Sequence, residues 1–231
     1  MSDRLTCSLG DFSQYQILPT PAHTILTQAC LGNLLQLDGC MKNENIKDFS
    51  LAQYAARHWV THAQFENVAS NVKEGMETLR VFDPGQPYFA SWVGIFNIDL
   101  WSSNIPTPLY YSSLCGFSGL VEHLAIKHPK HVNAIGGYYD FPLAAALAKK
   151  YIEVAEILLK HGAKVDIRGT RERAPLHHTI KDANAVQFLL DHGADVDPQD
   201  AMGKTPLHLL LEWDEDDNVL DLDWRLTHLV S

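Results

Sequence analysis

The sequence has little positive charge and few cysteines. Its 231 residues include 18 Lys and Arg against 28 Asp and Glu, which gives a formal net charge of −10 at pH 7. Nucleic-acid phosphates and anionic membrane surfaces repel a chain this acidic, so we expect neither as its main partner. The 4 cysteines contain no Cys-x-x-Cys pair, which is typical of reduced thiols inside a cell.

Long apolar stretches are also missing. The first residues lack the apolar run that a secretory signal needs. Two uncharged windows, at about 13–37 and 100–121, are interrupted by proline and by polar side chains, so neither is expected to span a bilayer. The composition therefore predicts a soluble cytoplasmic protein, with a nuclear location as the alternative.

An internal repeat is present in the second half of the chain. Prolines recur at intervals of 34, 33 and 31 residues. They lie in the strings Thr107-Pro108-Leu109, Phe141-Pro142-Leu143, Ala174-Pro175-Leu176 and Thr205-Pro206-Leu207. Proline is tolerated at the first helical position, where its missing N–H has no partner to lose. Each unit is therefore predicted to start a short helix at its proline.

A second string follows at a fixed offset and marks the end of a second helix. It reads Leu158-Leu159-Lys160-His161-Gly162-Ala163 and Leu189-Leu190-Asp191-His192-Gly193-Ala194. Glycine just past the last helical residue ends a helix at little cost. Two short helices cannot bury their own apolar faces, so the units are predicted to stack on one another.

The two strings in register resemble the ankyrin repeat, which has a period near 33 residues and a Thr-Pro-Leu-His motif. The resemblance implies an all-α solenoid that binds a protein partner through its concave face and catalyses nothing. It also implies that His177 and His208 hydrogen-bond to the backbone of their turns. The four units are expected at residues 106–135, 140–168, 173–199 and 204–231.

Departures from the repeat pattern give further expectations. Lys150 occupies a turn position at which the motif has glycine, as the first unit has at Gly116. The third unit is two residues shorter between its helices, over Thr179–Ala185, so we expect a tighter turn there. The fourth is interrupted by an acidic run and resumes with a predicted capping helix at about Leu220–Leu229.

Residues 1–100 are predicted to form a helical block packed directly against the first repeat. One helix starts at Thr20-Pro21 and ends near Gly39, and Ser50 caps a second. A third is expected between Val68 and Leu79, and a fourth carries Phe89 to Phe96 into the repeats. No alternating pattern typical of an antiparallel sheet occurs over residues 13–100.

This block resembles the helical region that precedes the ankyrin array of fungal NACHT-type, NLR-like proteins. The resemblance rests on the strings Pro21-Ala22-His23-Thr24-Ile25-Leu26, Leu51-Ala52-Gln53-Tyr54-Ala55-Ala56-Arg57-His58-Trp59 and Tyr88-Phe89-Ala90-Ser91-Trp92. It implies that residues 1–20 correspond to the tail of a winged-helix region and that the NTPase module is absent. Two alternatives to a simple binding module follow: a regulatory fragment acting in trans on an NLR-like NTPase, or a truncated gene product without a selected role.

Motifs for catalysis, cofactors and metals are not found. Gly203-Lys204-Thr205 ends like a phosphate-binding loop, but Pro198 stands where that loop needs glycine. His58 and His62 share a helical face, yet the sequence supplies no third ligand beside them. We therefore predict no enzyme activity, no cofactor and no metal site.

Partner binding is predicted at the hairpins and first helices, which the ankyrin resemblance places on the concave side. Exposed tyrosine and arginine are favourable anchors for a protein partner. An alternative left open is that Tyr138 and Tyr139 pack across adjacent hairpins. We expect a monomer that binds one protein partner of unknown identity. The candidate residues are Tyr111, Tyr138, Tyr139, Arg171, Arg173, His178, Asp200 and Met202.

Overall fold

A computed structural model describes residues 19–36, 51–64, 80–96 and 106–212, and these residues contain helices and turns but no strand. The N-terminal helices are α1 (Pro19–Leu35), α2 (Ala52–Gln64) and α3 (Pro87–Phe96). The repeat helices are α4 (Pro108–Leu114), α5 (Ser118–Lys127), α6 (Pro142–Ala148), α7 (Ile152–Lys160), α8 (Pro175–Thr179), α9 (Ala183–Asp191) and α10 (Pro206–Glu212). Short 3-10 turns lie at Pro129–His131 and Thr170–Glu172.

The first helix of each unit begins at its proline, as the sequence predicts. The Thr107 hydroxyl accepts a backbone N–H in the first turn of α4 at 3.2 Å, the usual role of an N-cap residue. Ala174 cannot cap in this way, and His177 Nδ1 accepts the Ala174 N–H instead, at 3.1 Å. His208 Nδ1 likewise accepts the N–H of Thr205 at 3.2 Å. The expected backbone role of both histidines is confirmed.

The helix pairs stack as an all-α solenoid. In the first two units, α4 packs on α6 and α5 packs on α7, and α6 continues the row to α8. Small side chains allow this close approach, because α6 consists largely of alanine and is buried from Pro142 to Leu147. Stacking therefore buries surfaces that no single unit could bury alone.

The shortening of the third unit falls on a helix and not on a turn. The segments between paired helices, 149–151 and 180–182, both hold three residues, whereas α8 has 5 residues and α6 has 7. The predicted tighter turn is therefore wrong. A chain reversal needs a minimum number of residues, so the deletion removes about half a helical turn instead.

The shorter α8 leaves α7 and α9 with few contacts, although α5 and α7 pack closely. An open groove of about 630 Å³ lies at the C-terminal ends of α7 and α9. Its walls carry both apolar and charged side chains: Leu159, Ala163, Lys164, Val165, Asp166, Ile167 and His192. The second helices thus pack closely between α5 and α7 and loosely between α7 and α9.

The N-terminal block packs directly against the first repeat, as predicted. An aromatic cluster joins the two: Trp92 lies 5.3 Å from Tyr111 and Trp59 lies 5.4 Å from Phe117, measured between ring centroids. Gln64 Nε2, at the end of α2, also donates to the Cys115 carbonyl at 2.6 Å and to the Tyr151 hydroxyl at 2.9 Å. The Cys115 thiol is buried, and burial raises its pKa to about 12.

Several expected elements fall beyond the described residues. These are the winged-helix tail predicted at residues 1–20 (all but its last two residues), the helix between Val68 and Leu79, and the acidic run with its capping helix after 212. They stay predictions. Within the described residues, α1, α2 and α3 match the predicted first, second and fourth helices. Their side chains Leu34, Trp59 and Trp92 are buried in the core.

Candidate protein-binding surface

Three equivalent hairpins connect successive units. In each, the first residue donates its N–H to the carbonyl of the fifth, over distances of 2.8, 2.9 and 2.9 Å for the hairpins 136–140, 169–173 and 200–204. The third residue of each hairpin is exposed: Tyr138 by 47% and Met202 by 75%, with Arg171 between them. We call these three residues the tip row.

The second and third hairpins are tied together by polar contacts. The Ala201 N–H donates to the Arg171 carbonyl at 2.8 Å, and Arg168 Nη1 donates to the Gln199 carbonyl at 2.9 Å. The Arg173 guanidinium lies 3.7 Å from the Asp200 carboxylate. The backbone beneath two members of the tip row is therefore held in one arrangement.

Asp200 organises the third hairpin from inside. Its Oδ1 accepts the N–H of Met202 at 2.8 Å and that of Lys204 at 3.0 Å. Burial alone would raise the pKa of this carboxyl. The two N–H donors and the Arg173 and His177 side chains outweigh burial, and the pKa of Asp200 lies below its usual range.

His177 joins the third and fourth units. Because its Nδ1 accepts the Ala174 N–H, Nε2 carries the proton and donates to the Lys204 carbonyl at 3.1 Å. Burial lowers the pKa of His177, and this effect exceeds the opposing influence of the nearby carbonyl and of Asp200. The imidazole is therefore a neutral bridge between two repeats.

A buried polar pair joins the first hairpin to α8. His178 Nε2 lies 3.2 Å from Asp140 Oδ2, with side chains only 7% and 5% exposed. A side chain at Gly169 would stand 2.7 Å from the Asp140 carboxyl group, so glycine is required for this approach. Asp140 itself adopts the left-handed region, at φ 61°.

Two consecutive residues of the second hairpin are strained. Arg171 and Glu172 have φ angles of 59° and 56°, the left-handed region in which an L side chain costs about 1–2 kcal/mol. Gly203 occupies the position equivalent to Glu172 in the third hairpin, at φ 74°. The second hairpin thus keeps two charged side chains where glycine would be cheaper.

The predicted binding residues separate into exposed and buried groups. Tyr138, Arg171 and Met202 are exposed, and their role in binding stays a prediction. Arg173 is partly exposed beside Asp200, and His178 is directed inward to Asp140.

For two tyrosines the expected exposure is wrong. Tyr111 has none of its surface exposed, because the N-terminal block covers the first unit and Trp92 packs against its ring. Tyr139 is 4% exposed and its N–H donates to the Tyr110 hydroxyl at 3.2 Å. Tyr138 is 47% exposed, with its ring 5.0 Å from the ring of Tyr139. The alternative that the two pack across adjacent hairpins stays a prediction. Asp200 is buried as well, inside its own turn.

Two residues that belong to this surface were not predicted from the sequence. Ile135 is 41% exposed just before the first hairpin, and Arg168 links the second hairpin to the third. The sequence does contain a signal for the exposure of Ile135, because the pair Gly136-Gly137 directly after it marks the start of a turn. No pattern distinguishes the linking role of Arg168 from that of any exposed arginine.

A histidine cluster lies on the N-terminal block. His23 Nδ1 and His62 Nδ1 are 2.9 Å apart, and the Tyr54 hydroxyl lies 3.0 Å from His62 Nε2. Burial, with His23 and His58 nearby, lowers the pKa of His62. Among the described residues no group of three or more His, Cys, Asp or Glu is placed to hold a metal ion.

Comparison with known proteins agrees with the repeat geometry. Residues 143–222 match the family model for ankyrin repeats, with 3 copies. This match, together with the stacked helix pairs, makes the fold an all-α ankyrin-repeat solenoid. Ankyrin repeats generally mediate protein–protein interactions and are typically non-catalytic. In the described part of the chain, no helix has both the length and the apolar character needed to cross a membrane.

The chain is also similar to a fungal protein, the azaphilone pigments biosynthesis cluster protein L of Monascus ruber. The two are 29% identical over 175 residues, which is 66% of this chain and 37% of the relative. The chain thus spans little more than a third of the length of the curated relative it matches. The resemblance to NACHT-type proteins stays a prediction.

Proposed function

We propose that the protein is a non-enzymatic recognition module that binds a protein partner through the tip row, on the concave side of its ankyrin stack. The observation that carries the proposal is the exposure of three chemically different side chains at the same position of three linked hairpins. Tyr138 is 47% and Met202 75% exposed. Neither side chain has a place in the core.

The side chains of the tip row suit a binding role. Tyrosine and arginine are enriched among residues that dominate binding energy, and methionine adapts its shape to an apolar partner. The hairpins below Arg171 and Met202 are tied together by the Ala201 and Arg168 hydrogen bonds. A surface that is already ordered loses less conformational entropy when it binds.

The N-terminal block supports this assignment because one of its apolar faces is already packed against the first repeat. Its largest aromatic rings, Trp59 and Trp92, are fully buried and contact the first repeat. A partner that docks on that face would have to displace these contacts, whereas the hairpin surface is already accessible. We therefore favour the hairpin surface over that face of the N-terminal block.

The test compares the proteins retained by two triple variants of the full chain. One carries Tyr138→Ala, Arg171→Ala and Met202→Ala, and each immobilised protein is exposed to an extract of the source cells and analysed by quantitative mass spectrometry. Loss of two or three hot-spot side chains costs about 2 kcal/mol or more in binding. We therefore expect specific partners to be depleted at least about tenfold.

A control triple variant removes the same kinds of side chain from other exposed positions. It carries Tyr54→Ala, Arg57→Ala and Ile126→Ala, whose side chains are exposed on α2 and α5. Partners of the wild type should be retained by this control. If the tip-row variant retains the same proteins in the same amounts as the control, the proposed function is wrong.

A further inference from the structure

We infer that the tip row binds a polyproline II segment of a protein partner, with an acidic side chain on Arg171 and apolar side chains three positions away on either side. This inference rests on the proposed function and specifies the chemistry of the partner. In the proposed complex, Tyr138 and Met202 contact the two apolar side chains of the bound segment.

The charges on the hairpins favour one carboxylate of the partner beside Arg171, the middle residue of the tip row. Arg168 is occupied by backbone carbonyls and Arg173 faces Asp200. Among the described residues the guanidinium of Arg171 has no hydrogen-bond or ion-pair partner. A guanidinium binds a carboxylate through two parallel hydrogen bonds. The exposed Glu172 beside it would repel a second acidic group, so a single acid is expected.

The spacing of the repeat selects the conformation of the partner. Packed helices lie roughly 8–10 Å apart, and we expect roughly the same separation between equivalent residues on neighbouring hairpins. A polyproline II helix has about three residues per turn and rises about 3.1 Å per residue. Every third side chain then lies on the same side, about 9 Å farther on. A β-strand would direct the third side chain to the opposite face.

Polar contacts between successive units restrain this spacing. The Asp140–His178 pair connects the first hairpin to α8 of the third unit, and the Ala201 N–H connects the second hairpin to the third. A polyproline II segment is also largely ordered before it binds. Both sides therefore lose little conformational freedom in the complex.

The probe is a fluorescein-labelled peptide, Leu-Pro-Pro-Glu-Pro-Pro-Leu, titrated with the full chain and followed by fluorescence anisotropy. Replacing its Glu by Gln should weaken binding about tenfold, because a charge-assisted hydrogen bond is lost. Moving the Glu by one position should weaken binding by a similar factor. A peptide with Lys in place of Glu should not bind the wild type.

Variants of the protein test whether Arg171 determines the preference for an acidic residue in the peptide. The Arg171→Glu variant should no longer bind the Glu peptide and should bind the Lys peptide instead. The Arg171→Lys variant should still bind the Glu peptide more tightly than the Lys peptide. Arg57→Glu makes the same charge reversal on the exposed face of α2 and should change nothing. Thermal unfolding by circular dichroism checks that each variant is folded.

Three results would overturn the inference: no binding of the Glu peptide up to millimolar protein, equal binding of the Glu and Lys peptides, or an unchanged preference in Arg171→Glu. Its failure is separable from that of the proposed function. If the tip-row triple variant still loses its cellular partners, the surface binds proteins of another chemistry. If that variant keeps them, both conclusions are wrong.

Discussion

Gly137 offers a sharp test of how closely the first hairpin approaches the repeat beneath it. The residue has a φ of 77°, and a Cβ atom added there would lie 2.3 Å from Cζ of Tyr110. The Tyr110 ring is 1% exposed, and its hydroxyl accepts the Tyr139 N–H. Gly162 is the matched control, since its φ is 89° and nothing lies within 4 Å of an added Cβ.

The two Gly→Ala substitutions should therefore differ by the cost of the steric overlap. Both incur the left-handed penalty of about 1–2 kcal/mol. Gly137→Ala must also displace a packed ring, at about 1–3 kcal/mol for overpacking, and weaken a hydrogen bond worth about 1 kcal/mol. We expect losses of about 1–2 kcal/mol for Gly162→Ala and about 3–6 kcal/mol for Gly137→Ala.

Urea unfolding of the full chain, followed by circular dichroism, measures both free energies. Adding Tyr110→Leu supplies the second arm of a double-mutant cycle. In that background the ring is gone, so Gly137→Ala should cost no more than Gly162→Ala. Equal losses for the two alanine variants in the wild-type background would refute the close approach, as would an unchanged cost after Tyr110→Leu.

Three further predictions concern stability. Lys150 has a φ of 65°, so Lys150→Gly should raise stability by up to about 1 kcal/mol and raise the Tm. A lower Tm would contradict the strained turn. Leu158 is fully buried, whereas Leu159 borders the groove; Leu158→Ala should cost about 3 kcal/mol and Leu159→Ala markedly less in urea unfolding. Equal costs would mean that α7 and α9 are packed together. Finally, burial lowers the pKa of His177 below its ordinary value near 6.5, so its contribution is complete above that pH and declines as the pH falls below it. His177→Asn should flatten urea-unfolding free energies measured from pH 7 to pH 5, and an unchanged slope would argue against the buried neutral imidazole.

Local features of the repeat could be predicted because single residues determine them. Proline at Pro108 and Pro142 marks helix starts in any tertiary context, since it lacks the N–H that an inner position needs. The turn position of Lys150 follows from its register with Gly116. These inferences needed no knowledge of neighbouring elements.

Contacts between distant segments could not be predicted in the same way. A tyrosine in a first helix looks the same in sequence whether it faces solvent or another helix, and only the position of α3 buries Tyr111. The two-residue deletion in the third unit was visible, but the sequence did not show whether helix or turn would absorb it. Of the eight predicted binding residues, tertiary packing decides which remain accessible.

Backbone strain alone does not mark the binding surface. Lys150 is as strained as Arg171, yet it lies in a turn between helices and pairs only weakly with Asp182, at 3.6 Å on an exposed surface. Arg171 differs because its carbonyl accepts a hydrogen bond from the Ala201 N–H of the next hairpin. This bond holds the backbone of Arg171 close to that of Met202. Replacing Arg171 or Glu172 by glycine would relieve strain without disturbing any core contact. The combination of strain, exposure and a hydrogen bond to the next hairpin is what the proposed binding role of Arg171 would require.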